Sequence, residues 1–571
     1  MKKGIIIMNK KSRKLIALII VLIMASGLIA ACGGGGGDSE TSGSPSANQS
    51  TQPTTTGGTS PDFEQQQTGT AEAPEEGANL ADHMDILFDI SGLTVVNPNA
   101  SGATGASSII YDLVHDKLLE IRGPGIYVPG LATHWETDDF QTIRFYLREG
   151  VTFHNGDPFS AEDVKFTIEI ALASPAGTAW TRLRFIEEVN VIDPYTVDIV
   201  YNTPNADYEF EISHWGSGIL NQRAYNEAPD DFVHWGMVGT GPYRMIEFSS
   251  ANVIRLERNE DYWGEEPPTR SLAFWSVAEQ ATRYVMLQTG QVQMVQGLNS
   301  EDLDELLGNP DFNVIQDLLH MPTYLGFNNQ GDAIMMDTNF RLAVAHAINQ
   351  DDLATVVGGN WTRGWPSGNL WGLRTPFYRE DLPRRAQDLT LAAQYLDASV
   401  YNGEPIELVA VGDAGQRAAE LVQIQLAEIG IDISIEMMDV PSYVEAFAYN
   451  PSSTRQMSIF SIGVSPTALG TLRALMYSGS NTNRLNINSE LLDRNTDLLA
   501  TEQNPDRQRE LVYEIQQHLY DTLAGIPIYH GVSGLPTVLG VGGFHHWGDN
   551  FRYSYRGIYW DLNQTPERFL P

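Results

Sequence analysis

Two stretches of the chain contain residue types that could bind a phosphate or a metal ion. Residues 238–243 read VGTGPY, in which two glycines flank a threonine. This stretch lacks the Lys and following Ser or Thr of a P-loop, and also the three-glycine spacing of a dinucleotide-binding turn. His545 and His546 are adjacent, so on a strand they would point to opposite faces, and no cysteine or acidic cluster nearby completes a site. We therefore predict no metal and no cofactor.

Catalysis by acidic residues would need a recognisable pair or motif. The chain has 72 Asp and Glu residues, but they are scattered as on a solvated surface. A secreted hydrolase, the rival class, would need a nucleophile elbow or a carboxylate pair within a supporting motif. We find neither and predict that the protein is not an enzyme.

Three tryptophans, Trp361, Trp365 and Trp371, lie within the glycine-containing stretch 358–371. Indole offers a large amphipathic surface that can stack on a sugar or cover a peptide side chain. The alternative is a loop that buried indoles fix to the domain. The sequence leaves both readings open, so these tryptophans are candidate ligand contacts.

The N-terminal segment has the pattern of an export signal. Residues 2–14 contain six basic side chains and no acid, and residues 15–31 are apolar or small. A charged segment followed by a short apolar core is typical of a secretory signal. The segment ends in LIAAC, which resembles a lipobox, and Cys32 is the only cysteine. We predict a signal peptide over 1–31 and lipidation of Cys32, and no intramolecular disulfide is possible.

Residues 32–82 are mostly small and polar, with almost no large apolar side chains after Cys32. Such a composition buries too little surface to offset the entropy of ordering, which predicts a disordered tether. About 48 residues of this kind reach roughly 35–42 Å. The expected result is a globular head held near a membrane by its lipid anchor.

Charge and length restrict the function further. The formal net charge is −37, which argues against nucleic acid, whose phosphates need Lys and Arg, and against anionic lipid surfaces. About 490 residues remain after the tether, too many for one ordinary core, so we expect two or three lobes. Alternating apolar runs mix with amphipathic helical stretches, which indicates an α/β fold.

The densest pattern of local structure lies in 131–169. Residues 142–148 mostly alternate polar and apolar side chains, which predicts a half-buried strand, and 151–154 are a second short strand-like run. NGDP at 155–158 has the composition of a turn. Ser160 is in the position of an N-cap, with two acids in the first turn that follows, so a helix should begin there.

Taken whole, this stretch resembles the signature of the extracellular solute-binding proteins that serve oligopeptide, dipeptide and nickel ABC importers. The matching positions are Leu131, Ala132, Trp135, Leu147, Arg148, Gly150, Val151, Phe153, His154, Gly156, Pro158, Phe159, Ala161, Asp163 and Val164. Further blocks are similar to the same family at 238–243, 253–263, 340–349 and 525–530, and 406–436 has its strand–helix–strand unit.

The resemblance implies a three-lobed α/β fold of the periplasmic-binding-protein type II class, with an inserted extra lobe and a hinge between the first and third lobes. One hinge strand is expected at 326–329. The expected division beyond the tether is 83–122 for the first part of lobe I, 123–232 for lobe II, 233–326 for the second part of lobe I, 327–524 for lobe III and 525–571 for the return to lobe I and the tail.

The stretch 460–467, FSIGVSPT, departs from the peptide-binding members of the family. Those members carry a Trp and then an Asp here, and the Asp pairs with the α-ammonium of the peptide, a strong charge-assisted contact. Its absence weakens the case for a free-amine peptide. Gly463 and Ser465 in this loop are candidate ligand contacts, and Asp439 is either a replacement anion or a solvated loop acid.

Tyr111 lies off the apolar face of the helix predicted within 107–121. It is a candidate ligand contact in the cleft, or else an exposed surface tyrosine.

These patterns predict a membrane-anchored substrate-binding component of an ABC importer. It would capture peptides or a related solute by hinge closure, and the permease subunits of the importer would be its partners. An oligosaccharide-binding member of the same family is the first alternative, and a surface receptor that senses a solute is another. We expect a monomer and no nucleic-acid partner.

Overall fold

The structure is a computed structural model that describes most of the chain from residue 73 onward. The described residues are 73–88, 105–123, 125–175, 177–231, 235–249, 253–373, 375–447, 452–461, 463, 465, 467–480, 482–546 and 553–571. The predicted signal peptide, Cys32 and most of the tether lie outside them. Within the described part, no helix has both the length and the apolar character needed to cross a bilayer.

Strands and helices alternate through the described part of the chain. The strands are β1 His83–Phe88, β2 Leu119–Gly123, β3 Ile126–Pro129, β4 Ala132–Glu136, β5 Thr142–Leu147, β6 Ile186–Asp193, β7 Thr196–Tyr201, β8 Tyr243–Ser249, β9 Val253–Arg258, β10 Ser271–Ser276, β11 Met294–Val295, β12 Phe312–Phe327, β13 Thr362–Gly364, β14 Ile406–Val411, β15 Ile433–Met438, β16 Met457–Ser461, β17 Gly525–Val538, β18 Val541–Gly542, β19 His545–His546, β20 Tyr553–Ser554 and β21 Tyr559–Trp560. The α-helices are α1 Gly105–Val114, α2 Ala161–Leu172, α3 Thr178–Leu183, α4 Tyr208–Ser213, α5 Gln222–Glu227, α6 Gln280–Gln288, α7 Ser300–Leu307, α8 Ala333–Met336, α9 Thr338–Ala347, α10 Gln350–Gly358, α11 Leu389–Asp397, α12 Gly412–Ala427, α13 Val440–Ala446, α14 Ala468–Leu475, α15 Glu490–Leu499 and α16 Pro505–Asp521. Short 3₁₀ turns are at Trp215–Ser217, Gly359–Trp361 and Glu567–Phe569.

One mixed sheet of eleven described strands joins the segments predicted as lobes I and III. Its order is β15-β14-β16-β12-β17-β11-β1-β10-β9-β8, with β13 also paired to β17. At about 3.3 Å per residue, the 16-residue β12 extends roughly 50 Å. It pairs antiparallel with β17 along most of that length, so these two strands connect the two ends of the sheet.

The β12–β17 ladder is irregular near its middle. Its register shifts between Leu318 and Pro322 and again between Thr323 and Tyr324. Proline cannot donate to a ladder, and β-bulges bend the strand that carries them. The irregular segment lies just before the predicted hinge strand at 326–329, whose role in movement stays a prediction.

The stretch 131–169 folds largely as its pattern predicts. Strand β5 alternates exposed or half-buried with buried side chains, and β4, β5, β7 and β6 form a second, antiparallel sheet. Helix α2 follows Ser160, whose backbone N–H donates to Asp163 Oδ2 at 3.0 Å. The short run at 151–154 forms only an isolated bridge, from Thr152 to Pro158.

The buried side chains form separate cores for the two sheets, but these cores do not follow the predicted boundary between the first and second lobes. Most of the core on the second sheet comes from the segment predicted as lobe II. Phe166 and Trp215, from that same segment, pack instead in the core built around β1, α1 and β10. The first and second predicted lobes therefore share packed surface.

The VGTGPY stretch serves packing. A Cβ on Gly239 would lie 1.9 Å from the carbonyl oxygen of Val114 at the end of α1, and a Cβ on Gly241 would be 2.6 Å from it. Between the glycines, Thr240 donates its hydroxyl to the buried carboxylate of Asp116 at 3.0 Å. The glycines are needed because two backbone segments meet there, which explains the motif without a phosphate.

Candidate functional site

The candidate site lies where three parallel strands end. Strand β14 pairs parallel with both β15 and β16, so the carboxyl ends of all three lie at one edge of the sheet. A cavity of about 270 Å³ opens at this edge. Ligands of open α/β sheets commonly bind outside the carboxyl ends of the strands. The polar residues that line the cavity are Thr323, Tyr443, Ser461, Arg484 and Tyr529.

Three neighbouring strands place hydroxyl groups in one row at the floor of the cavity. Thr323 of β12 is the register partner of Tyr529 on β17 and of Ser461 on β16. Directly opposed residues of an antiparallel pair project on the same face of a sheet. The Thr323 and Ser461 hydroxyl oxygens are 2.6 Å apart. Burial raises the pKa of the Tyr529 phenol, and its hydrogen bond with Thr323 opposes that rise.

Helix α12 directs its N-terminus to the cavity. It begins directly after β14, and Gly412 has a φ of +68°, a conformation that favours glycine. No side chain caps this end of the helix, and Ala414 and Gly415 of its first turn line the cavity. The exposed Asp413 lies in the same turn. Backbone N–H groups and the positive end of the helix dipole therefore lie beside the cavity.

Tyr443 of α13 forms an aromatic wall. Its ring stacks on Phe447 with centroids 4.8 Å apart and lies 6.2 Å from the Phe460 ring. The side chain is 6% exposed, and its hydroxyl has no partner at hydrogen-bond geometry. Burial raises the pKa of the phenol, and the neighbouring Ser458 side chain opposes this rise.

Arg484 is the one charged side chain among the described residues that line the cavity. It is half-buried, and its Nη1 donates to the Phe447 carbonyl at 3.4 Å. Burial lowers its pKa from the ordinary value of an arginine. In the described part of the chain, no group of three or more His, Cys, Asp or Glu side chains could hold a metal ion.

The tryptophans predicted as ligand contacts are buried. Trp365 and Trp371 have no exposed area and pack in the core of the third predicted lobe. Trp361 is 7% exposed, and its Nε1 donates to Asp304 Oδ1 at 3.0 Å. This placement agrees with indoles that fix the loop, and it leaves no indole face available to a sugar in this conformation.

Tyr111 is neither in the cavity nor on the surface. It is 1% exposed in the core around β1, where its ring stacks on His115 at 4.1 Å. Helix α1 is buried on most sides, since Ile109, Ile110 and Leu113 are at most 3% exposed. The alternative of an exposed surface tyrosine was wrong, because the described side chains around Tyr111 on this helix are mostly buried too. Ligand contact by Tyr111 stays a prediction.

Asp439, Gly463 and Ser465 lie near the same edge of the sheet but do not line the cavity. Asp439 is exposed and caps α13, where its Oδ1 accepts from Ser442 N at 2.7 Å. Its pKa is lowered by that backbone hydrogen bond. The Ser465 hydroxyl lies 3.1 Å from that of Thr467. Asp439 thus has a local structural use, while ligand contact by Gly463 and Ser465 stays a prediction.

A sheet that continues through two cores, with a cavity on the strands that connect them, defines a periplasmic-binding-protein-like fold of type II. Residues 127–484 match the family model "Bacterial extracellular solute-binding proteins, family 5 Middle", which is more than half of the chain. The chain therefore belongs to family 5 of the bacterial extracellular solute-binding proteins. This confirms the predicted family and the fold class.

Relatives and a solved structure agree with this assignment. The dipeptide-binding protein of Escherichia coli K12 is 24% identical over 371 residues, 58% of this chain and 67% of the relative. The nickel-binding periplasmic protein of the same organism is 27% identical over 353 residues, 57% of this chain and 65% of the relative. The Helicobacter pylori DppA structure, in complex with the peptide STSA, has a TM-score of 0.68 at 21% identity and covers 85% of this chain and 99% of that one. The last comparison shows a shared fold.

Proposed function

We propose that this protein is the substrate-binding component of an ABC importer and captures a peptide or related solute in the cavity at the carboxyl edge. One observation carries the proposal. Thr323 and Tyr529 line the cavity and belong to β12 and β17, the strands that connect the two ends of the sheet. A solute that contacts both strands is coupled directly to the geometry of the hinge. The printed names of the relatives, which bind dipeptide and nickel, support a small solute as ligand.

Contacts between the segments predicted as lobes II and III support closure as the mechanism. We call these contacts the seam, formed by 205–207 on one side and by 467–473 with Ala500 on the other. The Thr467 hydroxyl donates to Asp207 Oδ2 at 2.7 Å, and Ala206 N donates to the Ala500 carbonyl at 3.0 Å. Ser461 lines the cavity, and Thr467 at the seam follows it closely in the chain. Occupancy of the cavity and formation of the seam are therefore linked through a short stretch of sequence.

A thermal-shift screen against random tripeptides, oligosaccharides and nickel tests this function. Saturation at a hundredfold excess over Kd should raise stability by about 2.7 kcal/mol. We expect a shift with peptides, because the hydroxyl-lined cavity offers hydrogen bonds and the tryptophans are buried. A shift with oligosaccharides alone would contradict the peptide assignment and restore the sugar alternative.

The lipid anchor is part of the proposal and depends on Cys32. Replacing the only thiol by Cys32→Ser removes the acceptor of the acyl chains. We expect this variant to lose incorporation of a labelled fatty acid and to move from the membrane pellet to the soluble fraction. An equal amount of labelled, membrane-bound protein in the variant would contradict lipidation at this residue. The proposed partners, permease subunits of an importer, are independent of this test.

A further inference from the structure

Residues 205–207 form a tip of the second predicted lobe that enters the third predicted lobe. Each residue of this tip bonds across the seam. Ala206 N donates to the Ala500 carbonyl at 3.0 Å, and the Ala206 side chain packs against the apolar core of the third lobe. Asn205 Oδ1 accepts from Arg473 Nη1 at 3.4 Å. The second lobe, which is the predicted insertion, is therefore joined to the third lobe by backbone and side-chain contacts.

Asp207, the third residue of the tip, has a geometry that its own lobe does not explain. It is the N-cap residue of α4, a position where an aspartate side chain commonly accepts from a backbone N–H of the first turn. Its side chain makes no such bond, and its Oδ2 instead accepts from the Thr467 hydroxyl across the seam at 2.7 Å. Burial raises the pKa of Asp207, while the Thr467 hydrogen bond and the charge of Arg473, both from the third lobe, oppose that rise. The Asp207 carboxylate therefore serves the contact between lobes.

Helix α14 carries the other half of the seam and packs behind the cavity. Thr467 caps this helix, since its side-chain oxygen accepts from a backbone N–H of the first turn at 3.1 Å. Leu469 of α14 lies in the same core as Phe460 and Tyr443, two residues that line the cavity. Because protein cores are close-packed, a displacement of one element is transmitted to its neighbours. The position of α14 at the seam is therefore coupled to the wall of the cavity.

We propose that the second lobe is a latch for the third lobe, and that the bond between Asp207 and Thr467 controls solute affinity from outside the cavity. This inference rests on the proposed function and names a control of the same site. The bond exists only where the two lobes meet, so it stabilises the closed form alone. The apparent Kd equals the intrinsic Kd divided by the closed fraction, so a loss of closed population weakens capture. Both residues are positioning residues, because neither lines the cavity.

Thr467→Asp reverses the latch while keeping the helix cap. An aspartate can still cap α14, but it places a second carboxylate against Asp207. Two carboxylates in a half-buried contact repel each other, so we expect this variant to shift the lobes towards the open form by about tenfold or more. Adding Asp207→Asn removes one charge and gives the new carboxylate an amide donor. We therefore expect the double variant to recover most of the loss, which a merely damaged fold would not do.

A second double variant, Thr467→Asp with Glu209→Gln, is the matched control. It removes the same charge from the same helix, α4. Glu209 lies away from the seam, since its Oε1 accepts from Trp135 Nε1 at 3.1 Å within its own lobe. We expect no recovery in this control.

Two measurements on the full-length protein in detergent read the latch. The first is the Kd for the random tripeptides of the thermal-shift screen, by calorimetric titration. The second is hydrogen exchange at the Ala206 amide without solute, by mass spectrometry, because this amide bonds across the seam and its exchange reports opening. If the open form dominates without solute, the loss appears in Kd, and if the closed form dominates, it appears first in the exchange rate.

The outcomes separate the latch from the proposed function. A weaker Kd or faster exchange in Thr467→Asp, recovered by Asp207→Asn and not by Glu209→Gln, is the expected result. No change in either measurement, or equal recovery in both double variants, would overturn the latch and leave the proposed function intact. A parent protein that binds no tripeptide would contradict the peptide form of the proposed function, and the exchange rates would then decide the latch.

Discussion

Asp116→Ala should lower the free energy of unfolding by about 3–5 kcal/mol, because it leaves buried partners without their acceptor. Asp116 has no exposed area. Its carboxylate accepts from Trp263 Nε1 at 2.7 Å and from the Tyr262 hydroxyl at 3.1 Å, and it pairs with Arg556 at 2.7 Å. With the Thr240 contact, this carboxylate holds α1, the VGTGPY turn and the C-terminal segment together.

Urea denaturation followed by tryptophan fluorescence measures this effect. Asp506→Ala is the control, since Asp506 is 81% exposed in its pair with Arg509, and exposed pairs contribute about 0–1 kcal/mol. Asp116→Asn keeps the size of the side chain, and its loss in free energy of unfolding should lie between those of the two Ala variants. If Asp116→Ala and Asp506→Ala lowered the free energy of unfolding equally, the buried hydrogen bonds around Asp116 would not stabilise the fold.

Stability should also fall as the pH rises from about 4.5 to about 8, and Glu211 should account for much of that fall. Burial raises the pKa of Glu211 from 4.5 to about 8, and the nearby Asp207 raises it further while Arg182 and Arg473 oppose the rise. Its Oε2 accepts from Asn205 Nδ2 at 2.7 Å, which connects it to the seam.

The sign follows from the direction of the shift. A carboxyl whose folded-state pKa is raised keeps its proton in the folded protein, so its full contribution to the free energy of unfolding is present below about pH 4.5. That contribution is lost as the pH approaches 8. The difference between the folded and unfolded pKa values corresponds to about 5 kcal/mol. Since Glu211→Gln is neutral at every pH, we expect it to be close to the parent at pH 4.5 and more stable at pH 9.

Denaturation at a series of pH values checks this. Glu187→Gln, at an exposed acid of β6, is the control and should keep the pH dependence of the parent protein. An undiminished loss of stability between pH 4.5 and 8 in Glu211→Gln would contradict the role assigned to this buried carboxyl.

Local sequence patterns predicted the elements better than they predicted the site. The alternation in 142–148 predicted β5, and the cap at Ser160 predicted α2. Both predictions held because short-range preferences decide these elements. The composition of residues 412–415, with glycine at both ends, favours a turn before the helix, but those residues form the first turn of α12. Gly415 packs on the preceding strand, since a Cβ placed on it would lie 3.7 Å from Ala410 Cβ, an ordinary contact.

The cavity could not be read from the sequence because six strands and helices, together with the loop that carries Arg484, build it. Tyr529 lay in the matched block 525–530, so a signal for it existed, but its side-chain direction depends on the register with β12. Arg484 and Tyr443 carry no local motif that marks them.

The most direct test of the central claim is a distance measured between the second and third predicted lobes with and without solute. Spin labels at Ile192→Cys on β6 and Leu498→Cys on α15, in a Cys32→Ser background, occupy positions 52% and 47% exposed. Double electron–electron resonance then gives the distance distribution with and without the random tripeptides of the thermal-shift screen as solute. The hinge account predicts a shorter and narrower distribution when solute is bound. A distribution unchanged at saturating, calorimetrically confirmed binding would contradict capture by hinge closure.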